Sequence, residues 1–319
     1  MLLISLFLAT LFLAYSNGAN DNFKGVATLF GSRTTSYQTA ILWATFTTAA
    51  GALTSIVLAK TLVQRFSGDG IFPGDIPHAP EFYIAVAIAT ALTVLIATLR
   101  GFPVSTSHAI TGALMGAGLV AIGLKVNFSA LGNYFILPLF LSPIIAIPLS
   151  AGIYSLVNYI NSKLNWQLNQ KTIDVCHFLS AGMISFVRGL NNTPKLVSLI
   201  LIIEYFSIQG GMITIAMAMA LGGLLNSQKI AETMSMKITS MNRTQGLCAN
   251  LITSILVIAA TYFGLPVSTT HVAVSSIFGV GIIAQKANTG IFYQMILSWI
   301  LTLPIATVIS AVVYRLLQG

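Results

Sequence analysis

Long apolar stretches alternate with short polar runs from one end of this chain to the other. Those near residues 2–16, 38–60, 82–99, 133–158, 173–187, 196–224, 246–263 and 292–314 approach or exceed the roughly 20 residues an α-helix needs to cross a hydrocarbon core about 30 Å thick. Two shorter apolar pieces, 109–124 and 272–284, suit re-entrant segments. No alternation of period two runs through them, so a β-barrel is not expected. The pattern predicts an all-α, polytopic membrane protein with broken or re-entrant helices and about 10–12 segments. Pro138, Pro143 and Pro148 predict a kink or break in the stretch 133–158. The first run, 2–15, lacks a basic start and a cleavage site, so it is expected to stay as the first membrane segment.

Composition narrows the picture. Only 7% of the 319 residues are charged and 56% are apolar, whereas soluble domains carry roughly 25% charged residues. That is too little polar material for a water-facing surface; the partner is the lipid bilayer. The net charge of +8 comes from single, scattered Lys and Arg. Without a basic tract it does not predict nucleic acid as a partner; beside membrane segments it sets topology. Cys176 and Cys248 lie in apolar sequence with no metal-ligand spacing and read as ordinary thiols.

The chain repeats itself. Gly101-Phe-Pro-Val-Ser-Thr-Ser-His108 recurs as Gly264-Leu-Pro-Val-Ser-Thr-Thr-His271, 163 residues later. Asn17-Gly-Ala-Asn-Asp-Asn-Phe-Lys24 recurs more loosely as Arg188-Gly-Leu-Asn-Asn-Thr-Pro-Lys195, 171 residues later. The order and near-equal spacing predict a duplication, with a first repeat at 1–158, a linker at 159–172 and a second repeat at 173–319. Loop 61–81 is acidic, with Asp69, Asp75 and Glu81 against Arg65, while its counterpart 225–243 is basic. Basic loops favour the cytoplasm, so the copies are expected to be inverted, 225–243 inside and 61–81 outside.

Four polar runs interrupt apolar sequence, and such runs persist at membrane depth only inside protein or around a cavity. Pro103 and Pro266 can open a helix whose first turn then offers Ser105, Thr106 and Ser107, or Ser268, Thr269 and Thr270, beside free N–H groups. Hydroxyls and amides so placed can surround an oxyanion; a lone cluster of this kind is also an ordinary helix cap. His108 and His271 either fix the loop or touch substrate and protons. Asp21 is the one acidic residue in the four runs, and an ionisable group at that depth suggests function. With Asn20 and Asn22, and with Asn191 and Asn192 in the second copy, it offers hard oxygen ligands for a small cation, or caps the next helix. Lys24, Lys195, Arg100 and Arg188 either neutralise the site or snorkel to headgroups. Glu232 and Thr233 fit a cytoplasmic helix cap. No catalytic set is visible, so an enzyme is not expected.

Four motifs in order, Asn17-Gly-Ala-Asn-Asp21, Pro103-Val-Ser-Thr-Ser-His108, KIAETMSMKIT at 229–239 and Gly264-Leu-Pro-Val-Ser-Thr-Thr-His271, resemble the inorganic phosphate transporter family of the sodium- or proton-coupled PiT type. The resemblance covers the whole chain. It implies inverted repeats around a central site, a multi-pass place in the cytoplasmic (inner) membrane, and often a homodimer. It also implies import of inorganic phosphate with sodium or, alternatively, protons as coupling ion, and no other cofactor. Carried over, it places Asn20, Asp21, Asn191 and Asn192 around the cation, and Asn20, Asn191 and the two hydroxyl triplets around phosphate. The chain departs from the pattern where Asn192 replaces a second carboxylate, and where Lys24 and Lys195 replace small or uncharged residues. Those departures leave sulfate open as the anion, and an anion channel is the rival from another functional class.

Overall fold

The computed structural model describes residues 1–58, 63–64, 66–67, 71–72, 79–164, 169–201 and 208–318. Asp69, Asp75 and Arg65, on which the acidic character of loop 61–81 rests, lie outside the described residues. Among the described residues ten long helices carry the fold: α1 Leu2–Asp21, α2 Tyr37–Leu58, α3 Pro80–Leu99, α4 Thr106–Ile122, α5 Leu137–Leu164, α6 Gln170–Val197, α7 Ile208–Asn226, α8 Arg243–Tyr262, α9 Thr269–Ile283 and α10 Thr289–Gln318. Among the described residues, eight helices are long and apolar enough to cross a membrane, and α9 is shorter. The all-α, polytopic architecture follows directly.

Two of the four predicted interruptions are real. At 101–105 and 264–268 the chain leaves the helix, turning through left-handed glycines at Gly101 (φ 77°) and Gly264 (φ 63°). The other two remain helical. Helix α1 continues through Asn17, Asn20 and Asp21 before tightening into a single 3-10 turn at Asn22–Gly25. Helix α6 runs through all of 188–195 with Pro194 inside it. Polar side chains break helices by competing for their own backbone; here they bond to side chains of their own helix or to groups on other segments, so the competition is absent. The prolines of α5 likewise leave it continuous, with Pro143 and Pro148 inside and a π-turn at Gly132–Ile136 before it. The apolar stretch 196–224 is two segments, since α6 ends at Val197 and α7 begins at Ile208.

Each helix of the first half has a counterpart five places later. Helix α1 packs on α3 as α6 packs on α8, and α4 follows α3 as a hairpin just as α9 follows α8. Other pairings cross over: α1 packs on α7 and α6 on α2, while α10 packs on α4 and α5 on α9. The two sequence repeats are therefore interleaved bodies. Each half contributes an odd number of crossings whether its hairpin spans or returns, so the second copy is inverted. Helices α5 and α10 are mostly on the outside, with exposed Phe140, Ile144, Ile300 and Val308, while the polar runs face inward, as expected for a body solvated by lipid.

The cross-over contacts depend on glycine. A Cβ at Gly18 would lie 1.9 Å from the Met219 carbonyl oxygen, and one at Gly222 would lie 1.9 Å from that of Tyr15. In the pseudo-equivalent crossing, a Cβ at Gly189 would meet the Thr48 oxygen at 2.1 Å and one at Gly51 the Phe186 oxygen at 1.8 Å. Backbone-to-backbone approach of this kind needs small residues. Gly51→Ala and Gly222→Ala should each destabilise the fold by about 1–3 kcal/mol, the usual cost of overpacking, seen as a lower Tm in detergent. An unchanged Tm in both would contradict the crossings.

Topology gives a second test. Exposed Gln64 and Ser240, each changed to Cys in a background lacking Cys176 and Cys248, should react with an impermeant reagent from opposite sides, Gln64→Cys from outside. Reaction of both from one side would contradict the inversion.

Candidate functional site

The spacing Asn17, Asn20, Asp21, Lys24 places four polar side chains on one face of a continuous helix, and Arg188, Asn191, Asn192, Lys195 repeats it on α6. Both faces point to the middle of the molecule, where the tips of the α3–α4 and α8–α9 hairpins meet.

At the tips, Ser105 and Ser268 are N-caps. Their hydroxyls accept the N–H of His108 at 3.2 Å and of His271 at 3.1 Å. The Thr106 and Ser107 N–H groups, and those of Thr269 and Thr270, have no intrahelical partner. The tips are stitched together reciprocally: Thr270 Oγ1 donates to the Val104 carbonyl at 2.9 Å, and Ser107 Oγ to the Val267 carbonyl at 3.4 Å. The His108 and His271 rings lie 4.6 Å apart between them. His271 Nδ1 contacts the Leu139 carbonyl at 3.3 Å and its ring stacks on Trp299. Neither nitrogen of His108 finds a partner among the described residues.

The lysine stems run inward to these tips. Lys24 Nζ is held by Asp21 Oδ1 at 2.5 Å, Asn20 Oδ1 at 2.6 Å, Thr270 Oγ1 at 2.6 Å and the Val104 carbonyl at 2.8 Å. Lys195 Nζ donates to Ser107 Oγ at 2.7 Å, to the Val267 carbonyl at 3.2 Å and, closely, to Asn191 Oδ1. Both residues are buried, at 3% and 1% exposure, so the snorkelling reading does not apply to them. The amides that orient these oxygens are anchored behind: Asn20 Nδ2 donates to Thr98 Oγ1 at 2.8 Å and Asn191 Nδ2 to Thr261 Oγ1 at 2.9 Å.

Asp21 sits between the two sets. Its Oδ2 accepts from Asn17 at 2.9 Å and from Asn192 at 2.8 Å. Asn192 thus presents its N–H₂ group to the carboxylate. Thr106 Oγ1 accepts from Asn17 at 2.8 Å, leaving Asn17 Oδ1 with no partner among the described residues. Among the described residues nothing hydrogen-bonds the Thr269 hydroxyl.

Arg188 was the residue hardest to place from sequence. It is 1% exposed, and one terminal nitrogen donates to Asn22 Oδ1 at 2.6 Å and, closely, to Thr48 Oγ1. Its Nε and other terminal nitrogen have no partner among the described residues. The available signal was its position, repeat-equivalent to Asn17 in a run at membrane depth. Arg100, by contrast, is exposed at the end of α3. Glu232 is exposed in a short helical turn, Gln228–Glu232, that packs Ile230 and Ala231 inward. Among the described residues no three His, Cys, Asp or Glu side chains cluster as a metal site would require.

The Asp21–Lys24 pair is sealed from solvent, and removing one partner of such a pair typically costs about 3–5 kcal/mol. Asp21→Asn should therefore lower the Tm sharply, and Asp21→Asn with Lys24→Met should recover most of the loss. A double variant no more stable than Asp21→Asn would show that the pair is not the source.

Comparison with known proteins identifies the family and the fold. The Phosphate transporter family profile matches residues 17–310. The chain is 31% identical to a probable low-affinity inorganic phosphate transporter of Rhizobium meliloti over 98% of its own length and 96% of the relative's. A protein of the same description in Bacillus subtilis is 31% identical, with 100% and 98% covered. A solved structure described as the sodium-dependent phosphate transporter superposes with a TM-score of 0.85 over 99% of both chains, at 23% identity. That likeness establishes the fold, with its inverted repeats. By profile, by relatives and by fold, the chain belongs to the phosphate transporter family.

Proposed function

We propose that this chain imports inorganic phosphate across the cytoplasmic membrane as a secondary transporter, working by alternating access between its inverted halves and assembling as a homodimer. The observation that carries the reading is the charge at the centre. Among the described residues, the basic side chains of Lys24, Lys195 and Arg188 face one carboxylate, Asp21, in a buried cluster, a formal excess of two positive charges when all three are protonated. Unpaired charge away from water is costly, and a doubly charged oxyanion offsets it.

The anion's shell would be Thr106 and Thr269, the free amides of the first turns of α4 and α9, and the open nitrogens of Arg188. Helix N-termini suit an oxyanion, and guanidinium binds its oxygens in pairs. Ser105 and Ser268 act one step back, as caps that shape the tips. Asn20 and Asn191 orient the lysines.

Asn17 Oδ1 favours phosphate over sulfate. It is a buried acceptor without a partner among the described residues. Hydrogen phosphate has a proton to donate to it, and sulfate has none. A site built around such a bond rejects the analogue that lacks it.

Radiolabelled uptake into proteoliposomes tests the reading. Phosphate should enter and sulfate should compete poorly. Thr106→Ala and Thr269→Ala each remove a donor to a charged ligand, worth about 1.5–3 kcal/mol, so each should weaken phosphate affinity roughly 10- to 150-fold. Unchanged affinity in both variants, or preferential sulfate uptake, would contradict it.

A further inference from the structure

We propose that Lys24 and Lys195 are tethered cations: their ammonium groups fill two oxygen-lined sites that would otherwise suit a dissolved monovalent cation, so that this chain moves its anion without sodium.

A buried lysine is usually neutralised by a carboxylate. Lys195 touches none among the described residues: its partners there are an amide oxygen, a backbone carbonyl and a hydroxyl, from Asn191, Val267 and Ser107. Lys24 has the same three kinds of partner, from Asn20, Val104 and Thr270, with Asp21 added. Neutral and carboxylate oxygens converging from separate chain segments are the donor set of a hard metal cation. Here an ammonium stands at the centre of each.

The two sets are built alike and across the repeats. Each takes its amide from the helix that carries the lysine, its carbonyl from the hairpin tip of the same repeat, and its hydroxyl from the tip of the other repeat. A cation at that point ties both hairpins to a helix, which is the role a bound ion would have in closing the site. Because each nitrogen is attached to its helix by a side chain, the cation itself cannot leave with the cargo.

Occupancy is exclusive. The oxygens lie 2.5–2.8 Å from Lys24 Nζ, so a sodium ion among them would sit against a like charge with little or no water between. The same holds at Lys195, where Ser107 and Val267 are already engaged. Sodium therefore has no place in either set while its lysine is protonated. The proposal rests on the transport reading only in its uptake arm.

Thermal unfolding of the purified full-length protein in sodium chloride and in choline chloride, at matched ionic strength, tests it without reference to any substrate. The parent should have the same Tm in both salts. Lys24→Ala and Lys195→Ala vacate the oxygen sets; each should melt lower in choline and recover saturably as sodium replaces it. Lys24→Met and Lys195→Met remove the charge but keep the stem, and should not recover. A saturable rise with sodium in the parent overturns the proposal, as does the lack of any sodium effect on both alanine variants. If neither alanine variant can be obtained folded, the parent decides. In the second arm the parent takes up radiolabelled phosphate. Equal uptake in sodium and choline supports the proposal, and faster uptake in sodium overturns it. No uptake in either salt counts against phosphate as cargo and leaves the melting result standing.

Discussion

Three basic side chains and, among the described residues, one carboxylate share a buried space at the centre of this protein, and the surrounding structure serves to make that tolerable. Charge at membrane depth is expensive unless it is paired or solvated by fixed dipoles. Asp21 is paired with Lys24 and held by two asparagine amides. Among the described residues, Lys195 has only neutral oxygens and Arg188 keeps two nitrogens open. The excess of positive charge is a standing demand for an anion, and the unpartnered first turns of α4 and α9 point at the place where one would sit. The same imbalance accounts for an anion as the substrate class.

The interleaving of the repeats gives this centre its mechanical sense. Each hairpin is backed by the last helix of the opposite half, α10 behind α4 and α5 behind α9. Each lysine bonds to both hairpin tips. A motion of one half relative to the other must then move the tips, the lysines and the anion's shell together. The reciprocal bonds Thr270 to Val104 and Ser107 to Val267 are the contacts such a motion would exchange.

The duplication, the all-helical membrane class and the two hairpin tips were legible in the sequence, because Gly, Pro and Ser at 101–108 and 264–271 carry local turn chemistry. The runs at 17–24 and 188–195 were misread as interruptions. Their Asn, Thr and Pro residues resemble turn formers, yet their partners lie on α3, on α2 and on the opposite repeat, and nothing local announces that. Read as helix, the same residues fall on one face, which is the feature that builds the site. The destination of a lysine stem is equally non-local: Lys24 and Lys195 could equally have reached headgroups, and only the packing of α1 and α6 between the hairpins turns them inward. Ser105 and Ser268 show the opposite case, where the ordinary capping role is the one the structure displays.

The central claim is that the positive charge accompanying the anion belongs to the protein. The most direct measurement follows radiolabelled sodium and radiolabelled phosphate together during initial uptake into proteoliposomes. The account predicts phosphate entry with no phosphate-stimulated entry of sodium. Sodium entering in fixed proportion to phosphate would contradict it.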